Sequence, residues 1–592
     1  MKRSQLVLVG SMWAVLGAST LVACGDDSED DSGQGGSTST GGKSATGGKT
    51  SAGGESTGGA APTGGKTATG GAGGSQEPGG GGAAGSEEPG GEAGSGGALE
   101  PGGPITESAD VLLEGVNDLR GLTFAADGKI YGSGHIGADN TVADREVAIV
   151  RLTADGELDD TFGEKGVVSF NLRERVVEAA PEGGEGGAGG GASQGEGGEG
   201  GASGPSEIVI NDGDEQSLGV VELENGDLIV QANVRDASGK GSDVVLLRLD
   251  SDGELVDSFG EKGIQKLDFG WTDADAAAWT GATGPSDQAW GVSLDDTSGE
   301  EKVVVFGFGP AKVGQTTGDP AVQRTDNDRY IARVLADDGS PDPDFNDGEV
   351  FSYNSGGTFN DNGRRGLVLE DGSIVSGGYT NYGEGLGNHV LVIQLTPEGA
   401  PDPDFGFGIA SPGVARTNPF LDDGGVAECY GVAVQKSGRY VTTGYGRATV
   451  ANGQSSLGWE TTDGVDMISV ALLPEGNGVD TGWGKQGTFV VQSEGLNLGN
   501  TEDRGRDLLA LPDDRVVYAG RLGPNPALFV ATAKGELDAS VGEDGVFSYD
   551  ALTDPTSHFF RITASADSKR IVASTSNHAD GVLVAILDVG EQ

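Results

Sequence analysis

Basic side chains are scarce in this chain, which carries 37 lysines and arginines against 92 aspartates and glutamates. Arginines nevertheless gather in two columns of a repeating pattern. Just before seven short apolar segments stand Arg120, Leu218, Trp290, Arg365, Tyr430, Arg506 and Phe560. Two positions earlier stand Asp118, Gln216, Gln288, Gly363, Glu428, Arg504 and His558. Guanidinium groups beside aromatic rings suit an anion or a sugar, because the donors take oxygens and the rings offer apolar faces. The columns name Arg120, Trp290, Arg365, Tyr430, Arg504, Arg506 and His558 as candidate ligand-binding residues. A plainer role is open to the arginines, that of pairing with acids of adjacent repeats to align them. Glu428 and the other carboxylates here, with His558, are the groups that acid–base chemistry on a polymer would use.

The remaining reactive residue types point to structure. Asp159, Asp342, Asp402, Asp480 and Asp538 recur in one column. Paired carboxylates in loops suit calcium. No copy carries the alternating acids of a calcium-binding loop, with Asp250, Asp252 and Gly253 coming nearest. The acids are therefore read as acceptors for backbone N–H groups in their own tight turns. Calcium stays open and no cofactor is expected. His135, His389, His558 and His578 are not spaced as ligands of one element. Phe162, Phe259, Phe345, Phe405 and Trp483 form a column of packing plugs. Cys429, beside Tyr430, reads as a small buried residue, not a nucleophile.

What positions these residues is a repeat. A short strand such as Gly121–Phe124 leads into Asp127-Gly128, which supplies the turn of a tight hairpin, and a second strand follows. The hairpin recurs seven times, degenerate from Val292, Leu508 and Ile562 onward. A third, continuously apolar strand such as Val147–Leu152 suits burial on both faces. The aspartate turn and a fourth strand such as Val167–Phe170 complete the unit. Four antiparallel strands at a period near sixty residues predict an all-β chain, a seven-bladed β-propeller of four-stranded blades. The last unit has three strands. The stretch Asp110–Glu114 is the expected fourth, closing the ring from the N-terminal side and leaving no free edge.

The motif Asp155-Gly156-Glu157-Leu158-Asp159-Asp160-Thr161-Phe162-Gly163-Glu164-Lys165-Gly166 returns at Asp252–Gly263 and, in worn form, later. It resembles the delta-60 repeat family of bacterial surface and secreted proteins, over about Ala109 to Gln592. The resemblance implies repeated β-structure of propeller type and brings no catalytic residues.

Ahead of the repeats, a basic start and an apolar run end in Leu21-Val22-Ala23-Cys24, which resembles a bacterial lipobox. That resemblance implies a signal peptide over 1–23 and a lipid on Cys24. An ordinary secretory signal with an incidental cysteine is the alternative. Lipidated Cys24 leaves Cys429 without a disulfide partner. Residues 24–106 are Gly/Ser/Thr-rich and read as a disordered tether spanning roughly 50 Å. Gly-Lys-Ser/Thr triplets within it lack the upstream glycine, strand and helix of a phosphate loop. Gly54-Glu55-Ser56-Thr57-Gly58 likewise lacks the setting of a nucleophile elbow. Residues 107–592 form the propeller, with a disordered acidic insertion at 178–204.

The net charge of -55 repels phosphate backbones and excludes nucleic acid as a partner. The expected partners are the membrane, through the lipid, and an unknown protein or glycan; a monomer is expected. The leading expectation is a non-catalytic binding or scaffold module at the bacterial envelope, at the outer membrane or cell surface. The alternatives are an envelope-polymer hydrolase or lyase acting at the channel mouth, and a structural spacer or adhesive coat protein.

Overall fold

The computed structural model describes residues 103–137, 145–172, 215–235, 241–271, 286–317, 322–382, 387–407, 412–447, 464–493, 502–549, 557–576 and 581–590. All belong to one compact unit, Ala98–Gln592. The expected signal segment over 1–23, Cys24, the expected tether up to residue 102, the expected insertion at 178–204, the loop at 448–463 and His578 lie outside the described residues.

Seven antiparallel sheets form the blades, each counted from its inner strand. Blade 1 comprises Asp118–Phe124, Ile130–Ile136, Glu146–Leu152 and Val167–Phe170. Blade 2 comprises Gln216–Glu222, Leu228–Arg235, Ser242–Leu249 and Ile264–Leu267. Blade 3 comprises Gln288–Asp295, Lys302–Pro310, Asn327–Leu335 and Phe351–Tyr353. Blade 4 comprises Asp361–Val368, Ile374–Thr380, His389–Leu395 and Val414–Thr417, with Gly406–Phe407 added in parallel at its edge. Blade 5 comprises Val426–Val434, Tyr440–Arg447, Asp466–Leu472 and Thr488–Val491. Blade 6 comprises Arg504–Ala510, Val516–Leu522, Asn525–Ala531 and Val546–Ser548. Blade 7 takes His558–Ala564, Arg570–Ser576 and Val582–Val589 from the C-terminal end and Ile105–Leu113 from the N-terminal side.

The closing strand pairs from Ile105↔Val589 to Leu113↔Val582. It begins before Asp110, where the closing strand was expected to start, and two residues before the expected propeller boundary at 107. Its polar first half hides a buried anchor, Ile105, which is 3% exposed. The third strands are buried almost throughout, because each blade is sandwiched between two neighbours.

The aromatic column locks one blade to the next. Phe162, Phe259, Phe345, Phe405 and Trp483 are buried. Each lies where a Cβ on a glycine of the following blade's turn would sit: Gly253, Gly339, Gly399, Gly476 and Gly535 in order. Those glycines have φ between +61° and +90°, so both the backbone and the aromatic ring require glycine there. The aspartate column serves its own turns. Asp159 Oδ1 accepts the Thr161 N–H at 3.0 Å, and Oδ2 accepts Arg151 Nε at 2.9 Å. Asp342 does the same with Asp344 and Arg333, and Asp480 with Gly482 and Arg439. The Thr161 hydroxyl and the Arg151 and Lys129 charges pull the Asp159 carboxyl down to about 2.

Candidate functional site

Every inner strand carries a β-bulge within its first five residues, at the third residue in blades 1, 2, 3, 6 and 7. The register shifts fall between Leu119 and Gly121, Ser217 and Gly219, Ala289 and Gly291, Gly363 and Gly366, Cys429 and Gly431, Gly505 and Asp507, and Phe559 and Arg561. The residues passed over include the whole first column of the sequence pattern: Arg120, Leu218, Trp290, Arg365, Tyr430, Arg506 and Phe560. They lie inside the strands, not just before them as expected. The extra residue breaks the two-residue alternation, so the apolar pattern resumes only after it.

The structure brings this column together in the central channel and buries it. Arg120, Arg365 and Arg506 are each 4% exposed, and Trp290, Tyr430 and Phe560 are buried beside them. Arg365 of blade 4 reaches across the channel. Its Nη2 donates to Arg120 O at 3.3 Å and Phe560 O at 3.2 Å, and its Nη1 to Leu218 O at 3.5 Å. Its Nε stands 3.8 Å from Asp507 Oδ1 of blade 6, and Asp507 also binds Arg561 of blade 7 at 3.1 Å. Burial and the neighbouring Arg561, Arg120 and Arg506 charges lower the Arg365 pKa against the pull of Asp507. A guanidinium stays protonated at neutral pH even so. Arg120 bonds Asp118 at 2.8 Å and lies 4.6 Å from the Phe560 ring centroid. Arg506 lies 4.6 Å from the Tyr430 centroid. The expected open mouth is thus a filled layer at this level, and the guanidinium groups face the protein's own carbonyls, acids and rings.

Arg364, which the column reading missed, completes the layer. Its guanidinium carbon lies 4.0 Å from the Trp290 centroid, 5.0 Å from Tyr430, 5.1 Å from Tyr379 and 5.2 Å from Phe308. The other blades place Leu119, Ser217, Ala289, Cys429, Gly505 and Phe559 at this position, so it reads as an ordinary core site. The visible signal was the Arg364-Arg365 doublet in a chain poor in cations.

The second column stands at the start of the inner strands. Arg504 pairs with Glu502 at 2.6 Å and lies 4.5 Å from the Tyr445 centroid. His558 is buried, with its ring 5.6 Å from Phe560 and its Nε2 3.5 Å from Ser576 Oγ. Glu428 is buried in blade 5, where it accepts from Asn388 and, at 3.4 Å, from the Tyr430 hydroxyl. Glu428 and His558 are therefore each engaged by side chains around them. Cys429 is fully buried, its Sγ donates to Gly431 O, and burial pushes the thiol up to about 11. Among the described residues no cluster of acids, histidines and cysteine is placed to hold a metal ion.

Sequence reasoning also missed a set of buried junction carboxylates. Glu215 accepts the Leu172 N–H, Asp287 that of Phe269, Asp361 that of Ser355 and Asp503 that of Ser493. Each ties the exit of one blade's outer strand to the entry of the next inner strand. Burial raises the pKa of Asp287, Asp503 and Asp361, the last to about 6.

Alternating strand direction sorts the connections onto two faces. The hairpin turns and aspartate turns share the lower face and are nearly uniform. First-to-second-strand turns run from 125–129 in blade 1 to 565–569 in blade 7, and the aspartate turns include 153–166, 250–263 and 532–545. The described ends of the second-to-third-strand and blade-to-blade connections lie at the upper face, where inner strands begin. These connections range from 523–524 to 171–215.

A family model described as a domain of unknown function (DUF5122) beta-propeller matches residues 125–162. The comparison with curated proteins gave no match. Among solved structures, the chain is similar to an alpha-L-arabinanase of Penicillium chrysogenum complexed with arabinobiose, at 10% identity and TM-score 0.33. That alignment covers 62% of this chain and 92% of the other. It is also similar to PorZ, a surface component of the type-IX secretion system of Porphyromonas gingivalis, at 10% identity and TM-score 0.35. There it covers 80% of this chain and 47% of the other. Drosophila Semaphorin 2a gives 9% identity and TM-score 0.35, with 82% and 76% covered.

Proposed function

We propose that the chain is a lipid-anchored protein of the bacterial envelope whose propeller is a non-catalytic binding or scaffold module for a protein or glycan partner. The observation that carries this reading is the division of labour between faces. The channel is filled by the protein's own side chains, and the lower face repeats two short turns, with blade 4 alone adding an edge strand among the described residues. The connections that differ most between blades lead to the upper face, where sequence change is tolerated by the scaffold. The lipobox resemblance at Cys24 supports the anchor. Two experiments test the reading. Metabolic palmitate labelling should mark the wild-type chain and spare Cys24→Ser. Immobilised protein should retain a discrete component from solubilised envelope fractions. An unlabelled wild type would refute the anchor, and retention of nothing would refute the module.

A further inference from the structure

Arginines that lie on aromatic rings in the lower turns are also ion-paired. Arg151 stands 4.7 Å from the Phe162 centroid and 2.9 Å from Asp159; Arg333 stands 5.0 Å from Phe345 and 2.6 Å from Asp342. Such groups are saturated by the protein itself. Arg416 differs. It sits near the upper end of the outer strand Val414–Thr417 of blade 4, only partly buried. Its guanidinium carbon lies 3.7 Å from the Tyr382 ring centroid. Tyr382 in turn packs against Phe359, with centroids 5.4 Å apart at 57°. Both rings are partly buried, and both lie in upper-face connections. Asn381 N–H donates to Asn360 O at 3.1 Å and Asn360 N–H to Asn381 Oδ1 at 2.7 Å, so the two connections are clamped to each other. Arg416 Nη1 is shielded from solvent and has no hydrogen-bond partner. A shielded donor without an acceptor is costly to the protein and out of reach of a ligand; the side chain as a whole is only partly buried, and its remaining donors are where a ligand oxygen has access.

We infer that Phe359, Tyr382 and Arg416 form a binding site for an uncharged pyranose unit of an envelope glycan. The inference rests on the upper face being the binding surface. Two adjacent rings offer apolar faces to the C–H side of a sugar, and the guanidinium offers planar donors to its hydroxyl oxygens. The net charge of -55 sets the sign of the ligand: a polyanionic glycan is repelled at long range, and an uncharged one is not.

The test is calorimetric titration of the full chain in detergent with uncharged hexasaccharides of glucose, mannose, galactose and xylose. At least one should bind, with affinity unchanged between about 0.05 and about 0.5 M salt. Tyr382→Ala and Arg416→Gln should each weaken binding by about tenfold or more, and Tyr382→Phe, which keeps the ring, should retain it. Circular dichroism should show melting within about 3 °C of wild type for each variant. Failure of all four sugars to bind, or undiminished binding by folded Tyr382→Ala and Arg416→Gln, overturns the site. So does affinity that falls steeply with salt. If no sugar binds while envelope protein is still captured, the glycan site falls and the binding module stands; if neither binds, both fall.

Discussion

Removing residues 103–114 deletes the strand that closes the ring, and the structure gives the size of the effect. Ile105 and Leu113 are each 3% exposed. Full burial of such side chains contributes about 1.5–3 kcal/mol apiece. Gly103 O accepts from Arg515 and Pro104 O from the Gly590 N–H, so the segment also ties blade 6 to the chain end. The ladder to Val582–Val589 contributes about 0.5–1.5 kcal/mol per net hydrogen bond, which roughly offsets the cost of ordering the strand. The two anchors therefore dominate, and the loss is about 3–6 kcal/mol, comparable with the whole stability of many domains. Thermal unfolding followed by circular dichroism should show a midpoint lower by about 3–6 °C, because a unit of this length has a large unfolding entropy. A synthetic peptide of residues 103–114 should restore part of it in trans, because the vacated edge of Val582–Val589 is its template. A midpoint within about 2 °C of wild type would refute the closure argument, since a strand that bridges the ends of a ring cannot be energetically idle.

The interblade lock is tested by Trp483→Ala, which empties a fully buried site and should cost about 3–5 kcal/mol in chemical denaturation. Gly535→Ala should also destabilise, because φ is +76° and the added Cβ would lie 2.5 Å from the Trp483 ring. Arg365→Met leaves three channel carbonyls without their donor and should cost about 1–3 kcal/mol, with unchanged capture of envelope partners. Asp361 tests pH dependence. Burial raises its pKa from 3.8 to about 6, against the Ser355 N–H, the Thr380 hydroxyl and Arg329. The folded state therefore holds the proton more tightly than the unfolded one. The stability this supplies is complete below about 3.8 and is lost as pH rises through about 6. Asp361→Asn should flatten the fall of the melting midpoint over that interval; an unchanged slope would contradict the assignment.

The ring was legible because its causes are periodic. Asp-Gly turns, apolar third strands and the Phe162-type plugs recur at one spacing, and seven recurrences count the blades. The channel column was legible as a list of residues and not as an environment. A bulge looks like the end of a strand, so Arg120 and Arg365 read as mouth residues when they are buried strand residues. The junction carboxylates were hidden because Glu215, Asp287 and Asp503 stand in polar stretches where one more acid carries no signal. Arg416 was hidden because its ring partners, Phe359 and Tyr382, come from two other connections of the blade.

Two leucines exposed to similar extents lie on opposite faces: Leu421 in the upper connection before Val426–Val434, at 43%, and Leu473 in the lower turn before Thr488–Val491, at 39%. A photo-crosslinking amino acid at each, irradiated with the envelope fraction, tests most directly whether partners dock on the upper face. Docking on the upper face predicts adducts from position 421 and none from position 473. Adducts from position 473, with or without adducts from position 421, would contradict it.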